Sequence, residues 1–211
     1  MDTQVALENR QVPAAPACNL CGGSRFGPGP GGRLGKDRLG PHCIACGSLE
    51  RQRASAHALQ TLHGADLDWR RALLIGAEPS ADPRWFAQCE QCESPLPGRL
   101  PAALDGYPMG GIDFLGLVHI MEFLDNDQEA FQRLVRLLSP RGVLQICFAD
   151  PCARPWTSIQ AGPAGSLRRW YGRDLVRHFR CQGRRLDMRM HDATDPGTGA
   201  VLPVHFFQHQ P

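Results

Sequence analysis

Apolar positions first fall into a regular period after Ser48. Ala56, Leu59 and Leu62 recur at three-residue spacing, while Glu50, Arg51 and Arg53 crowd the first turn, so the spacing predicts a helix from Leu49 to about His63. Ser48 stands where an N-cap belongs and Gly64 where a helix ends in left-handed backbone. Ala72-Leu73-Leu74-Ile75 reads as a short buried strand that opens into Gly76-Ala77-Glu78-Pro79-Ser80. Asp82-Pro83 reads as N-cap and first position of a helix running through Ala87. Residues 89–111 are punctuated by Pro95, Pro97, Pro101, Pro108 and Gly110-Gly111, with room for one or two short strands. Ile112 to His119 is a buried-strand run. Asp125-Asn126-Asp127 starts a helix whose stripe is Ala130, Phe131, Leu134, Val135 and Leu138, and Ser139-Pro140-Arg141-Gly142 is expected to stop it. Val143 to Phe148 reads as a strand and Tyr171 to Cys181 as a helix. Leu186, Met188 and Met190 alternate with Asp187, Arg189 and His191, and a turn at Asp195-Pro196-Gly197 leads to a last strand from Val201 to Phe207. Strands alternating with helices and closing on an antiparallel pair predict an α/β sheet with helices on both faces.

The chain ahead of Leu49 has no such pattern. Residues 1–17 are polar, end in Val12-Pro13-Ala14-Ala15-Pro16, and read as a flexible leader. Eleven of the 21 residues between Cys21 and Cys43 are Gly or Pro, so hydrophobic burial cannot order this segment. Cysteine chemistry can. Six of the nine cysteines form Cys-x-x-Cys pairs: Cys18/Cys21, Cys43/Cys46 and Cys89/Cys92. The first two pairs are 21 residues apart, close to the spacing of a four-thiolate zinc site, and Gly22 and Gly47 follow each pair where a knuckle turns. Such a site is structural and supplies on the order of 10 kcal/mol to a segment without a core. The competing reading is buried or redox thiols. Cys89/Cys92 lacks a companion pair and is either incidental, redox-active or part of a second metal site. Cys147, Cys152 and Cys181 read as small buried apolar residues.

A net charge of +2 excludes a protein driven as a whole by attraction to polyanions. No apolar run is long enough to span a membrane, and the first residues lack a basic and then apolar leader, so a cytoplasmic location is expected. Lys36 is the only lysine. Nine arginines and two acidic residues lie between Arg154 and Met190, whereas seven acidic residues and three arginines lie between Asp105 and Asp150. The arginine-rich stretch, with Arg168, Arg169, Arg173, Arg177, Arg184 and Arg185, is either a nucleic-acid surface or a solvated helix face.

The run Ile112-Asp113-Phe114-Leu115-Gly116-Leu117-Val118-His119-Ile120-Met121-Glu122-Phe123-Leu124-Asp125 resembles the fourth strand and following turn of class I S-adenosylmethionine-dependent methyltransferases, and Leu137-Leu138-Ser139-Pro140-Arg141-Gly142-Val143-Leu144 resembles their entry to strand five. Cys46-Gly47-Ser48-Leu49-Glu50-Arg51-Gln52-Arg53 behind a Cys-rich knuckle is similar to a bacterial subgroup carrying a CGSLER helix, whose first strand commonly ends in Ala-Pro-Glu; Gly76-Ala77-Glu78-Pro79 is close to that. The resemblance covers residues 18–148 and, more loosely, 171–208.

The resemblance implies a reduced Rossmann-like methyltransferase sheet with helices on both faces and an N-terminal zinc-ribbon-like module. The boundaries expected are a leader at 1–17, a zinc knuckle at 18–48, a connecting helix at 49–70 and the methyltransferase-like domain at 71–211. It implies S-adenosylmethionine at Gly76, Ala77, Glu78, Glu93 and His119, and structural zinc at Cys18, Cys21, Cys43 and Cys46, with no catalytic residue assigned. Gly76 is the one glycine in a first loop where the standard motif has three, and Phe123 replaces the motif's second His. Glu78 reads otherwise as a helix-start charge, His119 as a satisfied half-buried His, Glu122 as a structural hydrogen-bonding group, and Trp85, Phe86 and Tyr107 as core. Arg51 and Arg53 are expected either to reach toward the cofactor or an anionic substrate, or to be solvated. Three functions follow as expectations: a methyltransferase with an unknown acceptor, an inactive methyltransferase-fold scaffold serving a protein partner, and a zinc-dependent nucleic-acid-binding protein.

Overall fold

A computed structural model describes residues 16–64, 67–76, 80–92, 100–149, 151–160, 169–179 and 186–210. Expectations for residues 1–15 of the leader, Ala77, Glu78, Glu93, Arg168, Cys181, Arg184 and Arg185 lie outside the described residues. In chain order the elements are β1 (Phe26–Gly27), β2 (His42–Cys43), α1 (Glu50–His63), β3 (Leu67–Ile75), β4 (Phe86–Cys92), α2 (Leu100–Ala103), β5 (Ile112–Val118), α3 (Asp127–Leu137), β6 (Leu138–Cys147), β7 (Ser158–Ile159), β8 (Arg169–Trp170), α4 (Leu175–His178), β9 (Leu186–Thr194) and β10 (Val201–His209).

Six strands form one sheet in the order β4-β3-β5-β6-β10-β9. The first four run parallel, and β10 lies antiparallel between β6 and β9. Alternation along the strands sorts side chains to two faces. Leu73, Ile75, Leu115, Leu117, Leu144, Ile146 and Phe207 pack with Phe131, Leu134 and Val135 of α3. Ala72, Leu74, Phe114, Val143, Val204 and Phe206 pack with Ala54, Ala58 and Leu59 of α1. Both sheet faces are thus covered, as parallel strands require. Phe86 belongs to the core, its ring stacked 5.2 Å from Phe114, while Trp85 and Tyr107 are half-buried against it.

Several local expectations are corrected. Ser48 does not cap α1; Gln52 Oε1 accepts from the Leu49 backbone N–H at 2.9 Å, which frees the Ser48 hydroxyl for the cysteine sulfurs. Asp82 does cap, accepting from the Arg84 N–H at 2.9 Å, but only a 3-10 turn over Pro83–Trp85 follows, and Phe86–Cys92 is the outer strand of the sheet. Burial of Phe86 and pairing with β3 override the short helical start. The helix does stop ahead of Ser139–Gly142, at Leu137, but the strand expected from Val143 begins earlier, because the backbone turns extended at Leu138 and β6 starts there. Of the helix expected at 171–181, only Leu175–His178 is helical among the described residues, because Arg169–Trp170 pairs with Ser158–Ile159 and Tyr171 turns inward. Cys152 is exposed rather than buried, whereas Cys147 is buried as expected.

Candidate functional site

Two places gather chemistry-bearing groups. The first is the hairpin β1–β2 with its flanking knuckles. The Sγ atoms of Cys18, Cys21, Cys43 and Cys46 all lie within 4.8 Å of one another, with Cys18–Cys46 at 3.7 Å and Cys21–Cys43 at 3.6 Å. A tetrahedron with metal–sulfur bonds near 2.3 Å has edges of about 3.8 Å, so the donor set fits a zinc ion with all four positions filled. Gly22 and Gly47 adopt φ of 76° and 77°, the left-handed turns the knuckles need. The Ser48 hydroxyl lies 3.4 Å from Cys18 Sγ and 3.2 Å from Cys46 Sγ. Burial opposes ionisation of Cys46, but the Ser48 hydroxyl and N–H outweigh it and hold that thiol below its ordinary range.

The knuckle is fixed to the sheet through one arginine. Arg53, fully buried, donates from Nε to Asp195 Oδ1 at 2.6 Å and from Nη2 to Oδ2 at 2.8 Å. It also donates to the carbonyls of Ser48 at 2.8 Å and Pro41 at 2.9 Å, and its guanidinium stacks 5.0 Å from the Phe26 ring. Arg53 is therefore neither solvated nor directed at a ligand, contrary to the expectation for it. The charge of Arg51, in the same turn, acts on His119, Glu122 and Cys147.

The carboxyl ends of the strands are the second place. From β3 the chain passes to β4 on one side and then to β5 on the other, so the order of strands reverses between β3 and β5. Ligands of open α/β sheets bind in the crevice at such a reversal. Ile75 pairs with Leu117, which sets Gly76 level with Val118 and one residue short of His119. The structure thus brings Gly76 and His119 together. Gly76 adopts φ of 120°, closed to side chains, and His119 adopts φ of 51°. The Gly76 N–H donates to the carbonyl of Cys92, the last residue of β4, at 2.9 Å. Gly116 leaves room for the buried Ser80: a Cβ there would lie 2.4 Å from Ser80 Oγ.

Burial, reinforced by Arg51, brings His119 down to about 4, so its ring is neutral near pH 7. Glu122, in the turn after His119, is 1% exposed; burial pushes it up to about 7. Its Oε1 accepts from the Ala149 N–H at 2.7 Å, joining the loop after β5 to the loop after β6, while Oε2 has no partner among the described residues.

Beside these loops, Asp127 accepts from Tyr171 OH at 2.7 Å and pairs with His178 Nε2 at 2.6 Å and Arg169 Nε at 3.2 Å. Burial works against charge on Asp127, but the His178 and Tyr171 hydrogen bonds outweigh it and hold its carboxyl below the usual range. Arg169 also donates to the carbonyls of Leu124 and Asp125. Arg169 is therefore a buried anchor and not part of a solvated or nucleic-acid face. Nothing in the local sequence signals this network or the Arg53–Asp195 pair, since their partners are remote along the chain. Cys89 and Cys92 stand three apart on a strand and pack on opposite faces, Cys89 on the α1 side and Cys92 on the α3 side. They cannot clasp one ion as a knuckle, and burial pushes Cys89 up to about 11.

In fold, the chain is similar to S-adenosylmethionine-dependent methyltransferases of known structure. One is the 1,6-didemethyltoxoflavin-N1-methyltransferase of Burkholderia thailandensis, at 14% identity and a TM-score of 0.46, covering 76% of this chain and 79% of that one. Another is a methyltransferase from Mesorhizobium loti, at 12% identity and 0.44, covering 74% and 98%. A third, from Aquifex aeolicus, stands at 13% and 0.42, covering 74% and 92%. Likeness of this degree concerns the path of the chain and leaves the reaction open. No protein-family model matches the chain, and no curated protein sequence matches it. No helix among the described residues is long and apolar enough to cross a membrane.

Proposed function

We propose that the chain binds S-adenosylmethionine at the carboxyl ends of β3 and β5, methylates an acceptor, and carries structural zinc at Cys18, Cys21, Cys43 and Cys46. The observation that carries this reading is the reversal of strand order between β3 and β5, with Gly76 in side-chain-forbidding backbone at its mouth and His119 beside it. Gly76 lets main chain approach a ligand closely. In this reading Ala77 and Glu78 continue the first loop, and Glu93 supplies the two acceptor oxygens that suit a ribose diol. His119, neutral at working pH, offers a hydrogen bond without adding positive charge beside a sulfonium. When bound, the cofactor supplies an electrophilic methyl group for in-line displacement. The chain contributes orientation and exclusion of water, which account for much of the rate of such a reaction.

Isothermal titration with S-adenosylhomocysteine tests the cofactor site. Saturable one-to-one binding is expected, and Gly76→Val is expected to abolish it, because a β-branched residue is strained at that φ. Absence of heat at millimolar ligand would reject the reading. For the knuckle, elemental analysis is expected to find one zinc per chain in the purified protein and none in Cys43→Ser.

A further inference from the structure

Between β6 and β9, residues 151–160 and 169–179 build an arm whose outer surface the methyl-transfer reading does not use. Residues 151–160 and 169–179 are locked to each other at several points. The Arg173 N–H donates to the Arg154 carbonyl at 2.9 Å. Thr157 donates from both N and Oγ1 to Asp174 Oδ1, at 2.7 and 2.8 Å. Gly172 lies so close to Trp156 that a Cβ there would sit 2.3 Å from the Trp156 carbonyl carbon. The arm is in turn fixed over the carboxyl ends of the sheet, with the Tyr171 ring 4.8 Å from Phe148 and the Tyr171 hydroxyl on Asp127.

A firmly held arm has no structural need to expose indole. Trp156 is nonetheless 65% exposed, and Ile159, three residues further on, is exposed as well. Arg154, two residues before Trp156, lays its guanidinium 4.5 Å over the half-buried Trp170 ring, a cation–aromatic stack. Arg154, Arg173 and Arg177 are exposed and form no ion pair among the described residues. The sole carboxylate in residues 151–179 is Asp174, already engaged by Thr157. The arm therefore combines one exposed indole, Trp156, with exposed, unneutralised, fork-shaped cations.

From this juxtaposition we propose that the outer face of the arm, with Trp156, Trp170, Arg154, Arg173 and Arg177, docks single-stranded nucleic acid by stacking bases on indole and pairing arginines with phosphates. Sequence-independent strands are held in this way by other proteins, because every base has a face to stack and every linkage a charge. An acidic polysaccharide fits less well, since sugar hydroxyls are recognised by carboxylate or amide side chains next to the aromatic ring, and Asp174 is spent. As the dock of the methyl acceptor the surface rests on the reading above; as a nucleic-acid site it stands without it.

The test is fluorescence anisotropy of a labelled oligouridylate titrated with the full chain in the absence of cofactor, so its failure is distinct from a failure to bind S-adenosylhomocysteine. Binding at low salt is expected, with log K falling against log salt at a slope of roughly −2 for three phosphate contacts. Trp156→Ala is expected to weaken binding roughly tenfold or more without changing zinc content or the circular dichroism spectrum. Arg177→Ala is expected to make the slope shallower by roughly 0.7. No binding at low salt, or binding indifferent to Trp156→Ala, would overturn the proposal. So would tighter binding of heparin than of oligouridylate, which would mark the face as one for sulfated polysaccharide.

Discussion

Arg53 and Asp195 are 142 positions apart in the chain and both are fully withdrawn from water. Removing either partner leaves a buried charge unpaired, a loss of about 3–5 kcal/mol. Arg53→Met is therefore expected to lower the denaturation midpoint sharply, whereas the double variant Arg53→Met with Asp195→Leu recovers part of the loss; a double-mutant cycle in urea measures the difference. Glu122 yields a pH dependence of definite sign. Its folded value, about 7, stands above the ordinary carboxyl value of 4.5, so the folded chain holds a proton that the unfolded chain has released. The stability that this proton brings is fully present below about 4.5 and is lost as pH rises to about 7, by about 3 kcal/mol. His119 and His205, both brought down to about 4 mainly by burial, work in the opposite sense: their contribution is present above 6.5 and lost as pH falls toward 4. Glu122→Gln is expected to leave only the histidine trend. The stability difference between the two proteins, followed by urea titration from pH 4 to 8, should shift by about that amount in favour of the variant; a constant difference would contradict the placement of Glu122.

At the scale of elements, the knuckle and α1 behave as one unit. Cys18 and Cys43 are buried against Ala56 of α1, Ser48 touches the sulfurs, and Arg53 ties the first turn of that helix to the 195–198 turn between β9 and β10. Loss of the four-sulfur clasp thus reaches the far edge of the sheet. Limited proteolysis of Cys43→Ser is expected to cut first within residues 18–46, and hydrogen exchange at Ala193 to Gly199 is expected to speed up as well. This dependence was half legible beforehand. The Cys-x-x-Cys spacing located all four sulfurs, and three-residue periodicity located α1 to within one residue. The cap was misplaced because a serine hydroxyl serves backbone and sulfur equally well, and only the fold decides between them. The outer strand β4 was hidden by Asp82-Pro83, a true helix-start signal that here stops after one 3-10 turn.

For the whole molecule, alternation of buried strands and amphipathic helices was sufficient to indicate an α/β sheet with helices on both faces, and β5, α3 and β10 follow the hydrophobic pattern closely, whereas in β9 Met190 is exposed instead of facing inward with Leu186 and Met188. Strand order was not legible, because periodicity records which face a residue turns and not which strand lies beside it. That order creates the reversal at β3 and β5, and with it the neighbouring positions of Gly76 and His119. The polar network of Asp127, Tyr171, Arg169 and His178 was equally invisible, since each member alone looks like an ordinary surface group. The account turns on what occupies the strand reversal, and hydrogen–deuterium exchange of the full chain with and without S-adenosylhomocysteine addresses it directly. Protection concentrated at residues 73–76 and 117–120, with β10 unchanged, is the result predicted; unchanged exchange at both strand ends in saturating ligand, or protection confined to another region, would contradict it.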